Sequence, residues 1–161
     1  MNPIVTEKTA IKIVGIEIRT NNQDEMGSGG KIGPQWKRFY QENLDAKIQN
    51  QVSPEKTFAI YTDYESDFRG EYSFLLGKEV RTFDTVPAGM IAKTIPSAKY
   101  AVFTSDKGTV PNIVIAIWKH IWALKPNEIG GDRAYKADFE VYDSRSNDPT
   151  NAQIDVFLSI K

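Results

Sequence analysis

The 161-residue sequence contains no cysteine, a single histidine and no long apolar run. Without cysteine there is no disulfide framework, no thiolate nucleophile and no sulfur ligand for a metal. The lone His120 excludes a site built from several histidines, so we expect neither a metal nor another cofactor. No apolar stretch is long enough to cross a membrane, and the N-terminus lacks the pattern of a signal peptide. We therefore expect a cytoplasmic protein without membrane association.

The sequence also has no excess of charge of one sign. Twenty Lys and Arg residues against 21 Asp and Glu residues leave a formal net charge of −1. Since there is also no basic run, we do not expect direct nucleic-acid binding. With 40% apolar and 25% charged residues, the composition is typical of a globular protein. The length predicts one domain over 1–161.

An internal repeat organises the chain. Three segments of the first half recur in order in the second, at offsets of 82, 81 and 82 residues: WKRFY (36–40), FAIY (58–61) and SFLL (73–76) match WKHIW (118–122), FEVY (139–142) and DVFL (155–158). The repeat predicts two βαββ modules, about 10–82 and 97–161, related by a pseudo-twofold axis. The predicted fold class is α+β, with antiparallel sheets that enclose a ligand cleft.

The predicted elements follow from periodicity and from glycine and proline positions. Alternating or branched-aliphatic segments predict six strands: 11–20, 57–65, 71–80, 99–105, 137–144 and 153–160. Apolar residues at helical spacing after Pro34 and Pro111 predict helices near 34–48 and 111–124. The second helix is apolar nearly all round and should be the more deeply buried. Between the modules, VPAGMIAKTIPS (86–97) is typical of a linker.

The segment ADFEVYD (137–143) alternates strictly, which is typical of a half-buried strand. One face of this strand carries Phe139 and Val141, the expected seat for the helix of its module. The opposite face carries Glu140 and Tyr142. The question raised by this pattern is why an unpaired carboxylate shares a face with a tyrosine.

The repeat offers an answer, because the face with Glu140 and the matching face with Ala59 can meet along the pseudo-axis. Alternation predicts four more side chains on the wall that these faces form: Tyr61, Leu75, Tyr142 and Phe157. The spacing of Trp118 and Trp122 on the second helix is more typical of a core than of a ligand site. Trp118 is nevertheless an additional candidate for the cleft floor.

A carboxylate among aromatic rings is costly in a dry site, because low dielectric disfavours the charged form. A lipophilic cation would offset this cost by placing its charge near Glu140 and its body against the rings. Ring faces add cation–π attraction of roughly 0.5–2 kcal/mol per contact. The pattern thus predicts a site for a cationic, amphipathic small molecule. The alternative is a solvent-exposed Glu140 on an ordinary half-buried sheet.

Two other segments match known binding motifs only in part. GSGGKIG (27–33) lacks the full GxxxxGK spacing and the Ser or Thr after Lys, which favours a flexible loop over a phosphate site. The carboxylates of DYESD (63–67) lack the EF-hand spacing, which favours a turn with solvated charges. His120 lies beside Lys119 on the predicted exposed side of its helix and is expected to be solvated.

Three stretches carry a family resemblance that spans Ile11 to Lys161: RTNN…GKIG..W..FYQE, YTDYESD..GEYS..LG.EV and the terminal FEVYD…IDVFLSIK. With them the chain resembles the effector-binding domain of some AraC-type and MerR-type transcription regulators and of gyrase-inhibitor-like proteins. Within that family it is most similar to stand-alone members, including those carried as integron gene cassettes.

The resemblance implies a duplicated βαββ fold enclosing a cleft, and a ligand-binding protein more than an enzyme. Drug-responsive family members bind cationic, amphipathic compounds at a buried glutamate surrounded by aromatic residues, and Glu140 matches that acidic position. Some gyrase-inhibitor-like relatives are thought to hydrolyse cyclopropane-containing toxins, so a hydrolase with Glu140 as general base is the alternative.

The resemblance also implies a role in transcription regulation. Family regulators carry a separate DNA-binding domain, whereas the first predicted strand here begins about ten residues into the chain. We therefore expect a sensor, a sequestering protein or a ligand-responsive partner of a separate DNA-binding regulator.

Overall fold

The computed structural model describes residues 2–161, in which eight strands form one antiparallel sheet. The strands are β1 (Ile4–Lys8), β2 (Ile11–Thr20), β3 (Thr57–Thr62), β4 (Tyr72–Val80), β5 (Ile91–Ile95), β6 (Ala98–Thr104), β7 (Ala137–Tyr142) and β8 (Asp155–Ile160). The helices are α1 (Asn22–Glu25), α2 (Ile32–Gln41), α3 (Leu44–Lys47), α4 (Asn112–Ala123) and α5 (Pro126–Ile129). The predicted α+β class is confirmed. None of these helices is long and apolar enough to cross a membrane.

The strand order in the sheet is β1-β6-β8-β7-β3-β4-β2-β5. The first half of the chain contributes β3-β4-β2 and the second half contributes β7-β8-β6, so each half places its third strand between its second and its first. β3 and β7 pair antiparallel where the halves join. The topology thus agrees with two βαββ units, while their origin by duplication stays a prediction.

The two edge strands were not predicted. β1 begins ahead of the first expected strand, and β5 lies inside the segment 86–97 that was predicted as a linker. Each precedes the first strand of one half but pairs with the other half: β1 with β6, and β5 with β2. Edge strands are short and partly exposed, as Ile4 at 73% exposure illustrates, so their hydrophobic pattern is weak. The linker prediction was wrong for residues 91–95.

The predicted helix over 34–48 is divided into α2 and α3. Asn43 interrupts it in a left-handed conformation, with a φ of 50°, which asparagine tolerates better than most residues because of its short polar side chain. The second predicted helix is confirmed as α4 and is the more apolar of the two. It buries four side chains: Ile113, Ile117, Trp118 and Ile121.

The long helices pack on the face of the sheet that carries Glu140. Phe39 of α2 and Ile117 of α4 belong to one core cluster with Ala59, Val156 and Leu158 of the sheet. The opposite face forms a second cluster without any helical residue: Ile11, Ile13, Phe58, Ile60, Leu75, Ile95, Tyr100, Ala137, Phe139 and Val141. The prediction that Phe139 and Val141 seat the helix was therefore wrong. Both faces are apolar, and alternation alone does not say which one a helix covers.

Curvature of the sheet explains how the second cluster is buried without a helix. Ile95 of β5, at one edge, and Tyr100 of β6, close to the other, both belong to this cluster. Only residues 96–97 separate β5 from β6 in the chain. The sheet therefore bends until its ends approach each other, and the helices cover the remaining face.

Candidate functional site

Glu140 lies near the centre of the sheet, between two apolar neighbours. On β7 it is paired with Ala59 of β3 and with Val156 of β8. Both neighbours are fully buried, and Glu140 itself is 1% exposed. The alternative of a solvated Glu140 on an open sheet face was therefore wrong.

Three side chains donate hydrogen bonds to the Glu140 carboxylate. The indole Nε1 of Trp118 donates to Oε2 at 2.7 Å, and the hydroxyl of Tyr61 donates to the same oxygen at 2.8 Å. The hydroxyl of Tyr142 donates to Oε1 at 2.6 Å. Such bonds to an ionised acceptor are shorter and stronger than neutral ones. Among residues 2–161, no lysine or arginine forms an ion pair with Glu140, so its charge is met by dipoles alone.

Burial dominates the electrostatics of this group. Desolvation raises the pKa of the Glu140 carboxyl, and the hydrogen bonds from Tyr142, Trp118 and Tyr61 offset only part of that rise. Burial, together with the nearby Glu140 charge, raises the pKa of Tyr61 and of Tyr142 well above the usual value. The two hydroxyls therefore stay protonated as donors, and the carboxylate is the group that titrates.

The surrounding elements hold each donor in place. Tyr61 and Tyr142 each lie two residues beyond the central pair of Ala59 and Glu140, and therefore on the same face of the sheet. Trp118 reaches this face from α4 and meets the Tyr61 ring edge-on, with centroids 5.5 Å apart. Trp36 of α2 packs edge-on against Tyr142 at 4.7 Å.

A cavity of about 590 Å³ lies against Tyr61 and Trp118, and we call it the first cavity. Six aromatic side chains line it: Tyr61, Tyr64, Phe68, Tyr72, Trp118 and Trp122. Glu140 is not part of the lining. Its Oε2 is one hydrogen bond behind the two wall residues Tyr61 and Trp118, which separate the carboxylate from the open space.

Three charged side chains also line the first cavity: Glu25, Lys119 and Arg133. Glu25 is the carboxylate among them, and its oxygens accept hydrogen bonds from the backbone N–H groups of Lys31 and Ile32 at 2.8 and 3.0 Å. It also accepts from the Thr20 hydroxyl at 2.5 Å. Glu25 therefore caps the start of α2. Sequence reasoning missed it because α1 is a short polar helix without apolar periodicity.

A second cavity, of about 620 Å³, adjoins the first. The two cavities share five lining residues: Asn22, Met26, Phe68, Trp122 and Arg133. Beyond them the second cavity is lined mainly by apolar side chains from the end of α4 to the segment after α5, including Leu124, Ile129 and Tyr135. The two cavities together form one elongated recess beside α4.

The structure brings together some of the predicted site residues and separates others. Tyr61, Trp118 and Tyr142 surround Glu140, and the first two also line the first cavity. Leu75 and Phe157 do not lie on this face: Leu75 is paired with Ile60, and Phe157 is paired with and stacked on Phe139 at 4.7 Å. Their predicted placement on the Glu140 wall was wrong, because alternation orders residues within a strand but the register between strands decides which faces coincide.

The prediction for His120 also fails. The side chain is half-buried, its ring lies edge-on to Phe103 at 6.4 Å, and its Nε2 has no hydrogen-bond partner. Four aromatic residues that line the first cavity were not predicted: Tyr64, Phe68, Tyr72 and Trp122. Tyr64 follows β3 within the DYESD turn, where no alternation marks it, and Tyr72 begins β4.

A family model described as Cass2, integron-associated effector binding protein, matches residues 4–160. YobU of Bacillus subtilis, named as a transcriptional regulator protein, is 29% identical over 98% of this chain and 96% of its own length. The transcriptional regulator BrlR of Pseudomonas aeruginosa is 34% identical over 99% of this chain, which spans only 56% of BrlR.

Solved structures share the fold. The integron cassette protein VCH_CASS2 from the mobile metagenome of Vibrio cholerae superposes with a TM-score of 0.79 and 26% identity, covering 99% of this chain and 96% of that one. SAV2435, solved with bound tetraphenylphosphonium, has a TM-score of 0.78 and 21% identity, covering 100% and 94% of the two chains.

Proposed function

The chain belongs to the family of integron-associated effector binding proteins, and from that membership we propose that it binds lipophilic, cationic small molecules in the first cavity. It is an effector-binding domain related to transcription regulators. One observation carries the choice of ligand. Glu140 is a buried carboxylate without a cationic partner among the described residues, and it is hydrogen-bonded to Tyr61 and Trp118, two residues of the cavity wall.

A cation in the first cavity completes the charge balance of the site. Its attraction to Glu140 acts through a region of low dielectric, where a charge interaction is stronger than in water. The faces of Tyr61 and Trp118 add cation–π attraction, and the other rings bury the apolar body of the ligand. The tetraphenylphosphonium bound by SAV2435, a protein of the same fold, is an ion of this chemical class.

Glu25 is the competing counter-charge, because it lines the cavity directly. Its two oxygens are already engaged by the N–H groups of Lys31 and Ile32 and by Thr20, and its half-exposed position allows water to screen it. Glu140 is buried, so water does not screen it, and it has the larger aromatic surroundings. We therefore assign the counter-charge to Glu140.

We further propose that occupancy of the cavity is passed to transcription through a DNA-binding regulator, as the names of YobU and BrlR support. Sequestering of the ligand is the simpler form of the same role. Hydrolysis with Glu140 as general base has no comparable support, because this carboxylate accepts three hydrogen bonds and does not line the cavity.

Calorimetric titration with tetraphenylphosphonium tests the proposal. We expect binding by the parent protein, a clear loss of affinity in Glu140→Gln and little change in Glu25→Gln, the matched control. Absence of binding by the parent at high micromolar concentration would contradict the proposed function. A loss confined to Glu25→Gln would move the counter-charge to Glu25.

A further inference from the structure

Asp138 is a second buried carboxylate on β7, two residues before Glu140 and on the same face. It is 0% exposed and accepts hydrogen bonds from the backbone N–H of Ser159 at 2.7 Å and from the Ser159 hydroxyl at 3.0 Å. The Tyr64 hydroxyl also donates to it. Unlike Glu140, it has a cationic partner, since Arg133 Nη2 lies 2.8 Å from its Oδ2. The strand therefore carries one carboxylate that a cation neutralises and one, Glu140, whose charge no cation among the described residues neutralises.

Arg133 places a fixed positive charge at the junction of the two cavities. It lines both of them, and its side chain is only 15% exposed. The guanidinium is held between Asp138 and the ring of Tyr135, whose centroid lies 4.3 Å away. Its Nε is buried and donates no hydrogen bond. A guanidinium stays charged at every accessible pH, so this charge is permanent.

From this geometry we infer that Arg133 selects the charge of the ligand. The two cavities together accept an elongated amphipathic molecule with one positive charge, which lies against Tyr61 and Trp118. The other end of the molecule lies in the second cavity and is neutral. This inference rests on the proposed function and specifies its substrate class.

The charges around the recess set the size of the expected effect. A second positive charge within about 10 Å of the guanidinium, at an effective dielectric of about 20, would weaken binding on the order of tenfold. Asp138 is negative and pairs with the guanidinium, so it opposes the repulsion. It cancels only part of it, because it lines neither cavity and lies farther from the ligand than the guanidinium. Asp132 lines the second cavity and Lys119 the first, but both are exposed and screened by water. We expect a net discrimination of about three- to tenfold.

Two quaternary ammonium ions with the same chain make the test direct. Decyltrimethylammonium carries one charge, and decamethonium carries a second at the other end of the same ten-carbon chain. Calorimetry gives both affinities for the parent, for Arg133→Gln and for Arg133→Gln/Asp138→Asn. The double variant leaves no buried charge unpaired, so it replaces the single variant if the latter does not fold. Arg133→Lys keeps the charge, and Lys37→Gln removes an exposed charge of α2 that lies outside both cavities.

The measured quantity is the ratio of the two affinities, so general losses of binding cancel. We expect the preference for decyltrimethylammonium to fall about three- to tenfold in Arg133→Gln and in the double variant, whichever of them folds, and to stay unchanged in Arg133→Lys and Lys37→Gln. An unchanged ratio in the folded variants that lack the Arg133 charge, or an equal fall in Lys37→Gln, would overturn the inference. Loss of decyltrimethylammonium binding in Glu140→Gln tests the proposed function separately, whatever the ratio is.

Discussion

Glu140 and Ala59 lie directly opposite each other in the antiparallel pair of β7 and β3. The repeat aligns Phe58 with Phe139 at an offset of 81 residues. Under the same offset Ala59 corresponds to Glu140, so these two residues are both equivalent in the repeat and paired in the sheet. The carboxylate therefore lies at the centre of the β3–β7 pair, where the two halves of the sheet meet. Because one half supplies alanine there, the site holds one carboxylate instead of two adjacent ones that would repel each other.

The face assignment predicts that Leu75 stabilises the fold without contributing to the site. Leu75 is fully buried in the cluster opposite Glu140, so Leu75→Ala should lower the free energy of unfolding by about 2–5 kcal/mol. Its affinity for tetraphenylphosphonium should stay within about twofold of the parent value, a difference of about 0.4 kcal/mol. Urea denaturation and calorimetry measure the two quantities. A large affinity loss in a folded Leu75→Ala protein would return this residue to the site.

Tryptophan fluorescence should report ligand binding mainly through Trp118. Trp118 lines the first cavity and donates its indole N–H to Glu140, whereas Trp36 packs on Tyr142 and lines neither cavity. We expect the emission change on adding tetraphenylphosphonium to persist in Trp36→Phe and to shrink strongly in Trp118→Phe. Trp122→Phe should give an intermediate result, because this residue lines both cavities but is half exposed. The opposite order of Trp36 and Trp118 would place the ligand on α2.

The sequence predicted the centre of this site better than its rim. Alternation and the repeat identify Glu140, Tyr61 and Tyr142 because these residues lie on regular strands with a period of two. Glu25 and Arg133 lie in segments without periodicity, so no sequence signal places them at a cavity.

Relations between strands also escape sequence patterns. The sequence repeat matches Leu76 with Leu158, yet Ala59 is paired with Leu76 while Glu140 is paired with Val156. In the structure, Leu76 of β4 thus corresponds to Val156 of β8, two residues before the Leu158 that the sequence repeat matches with it. Turns and packing set this register, and they are not encoded in the alternation itself.

The raised pKa of Glu140 predicts how stability depends on pH in the absence of ligand. Because burial raises the pKa in the folded state, the folded protein binds this proton more tightly than the unfolded chain. The resulting stabilisation is present at acid pH and is lost as pH rises from the ordinary glutamate pKa of about 4.3 through the raised value. Glu140→Gln should not lose stability in this way, because the glutamine side chain does not titrate.

Thermal or urea unfolding of both proteins at several pH values provides the check. Relative to the parent, Glu140→Gln should gain stability as pH rises through that interval, and at neutral pH it should be at least as stable. A variant that loses stability relative to the parent with rising pH would mean that hydrogen bonding, and not burial, dominates the Glu140 carboxyl.

The same pKa predicts that cation affinity falls under acid conditions. As pH falls through the raised pKa of Glu140, the carboxylate is protonated and the counter-charge is lost. Tetraphenylphosphonium affinity should decrease across this range in the parent and in Glu25→Gln, and it should be nearly flat in Glu140→Gln. Titrations at fixed ionic strength measure the effect. A pH dependence that vanishes in Glu25→Gln would identify Glu25 as the titrating group.

The most direct test compares a cation with a neutral relative in the parent and in Glu140→Gln. Tetraphenylphosphonium carries the charge, and triphenylphosphine oxide keeps three of its phenyl rings without a net charge. By calorimetry we expect Glu140→Gln to weaken tetraphenylphosphonium binding by on the order of 1–3 kcal/mol, roughly tenfold to a hundredfold, and to leave the neutral compound nearly unaffected. Equal losses for both compounds would contradict the assignment of Glu140 as the counter-charge.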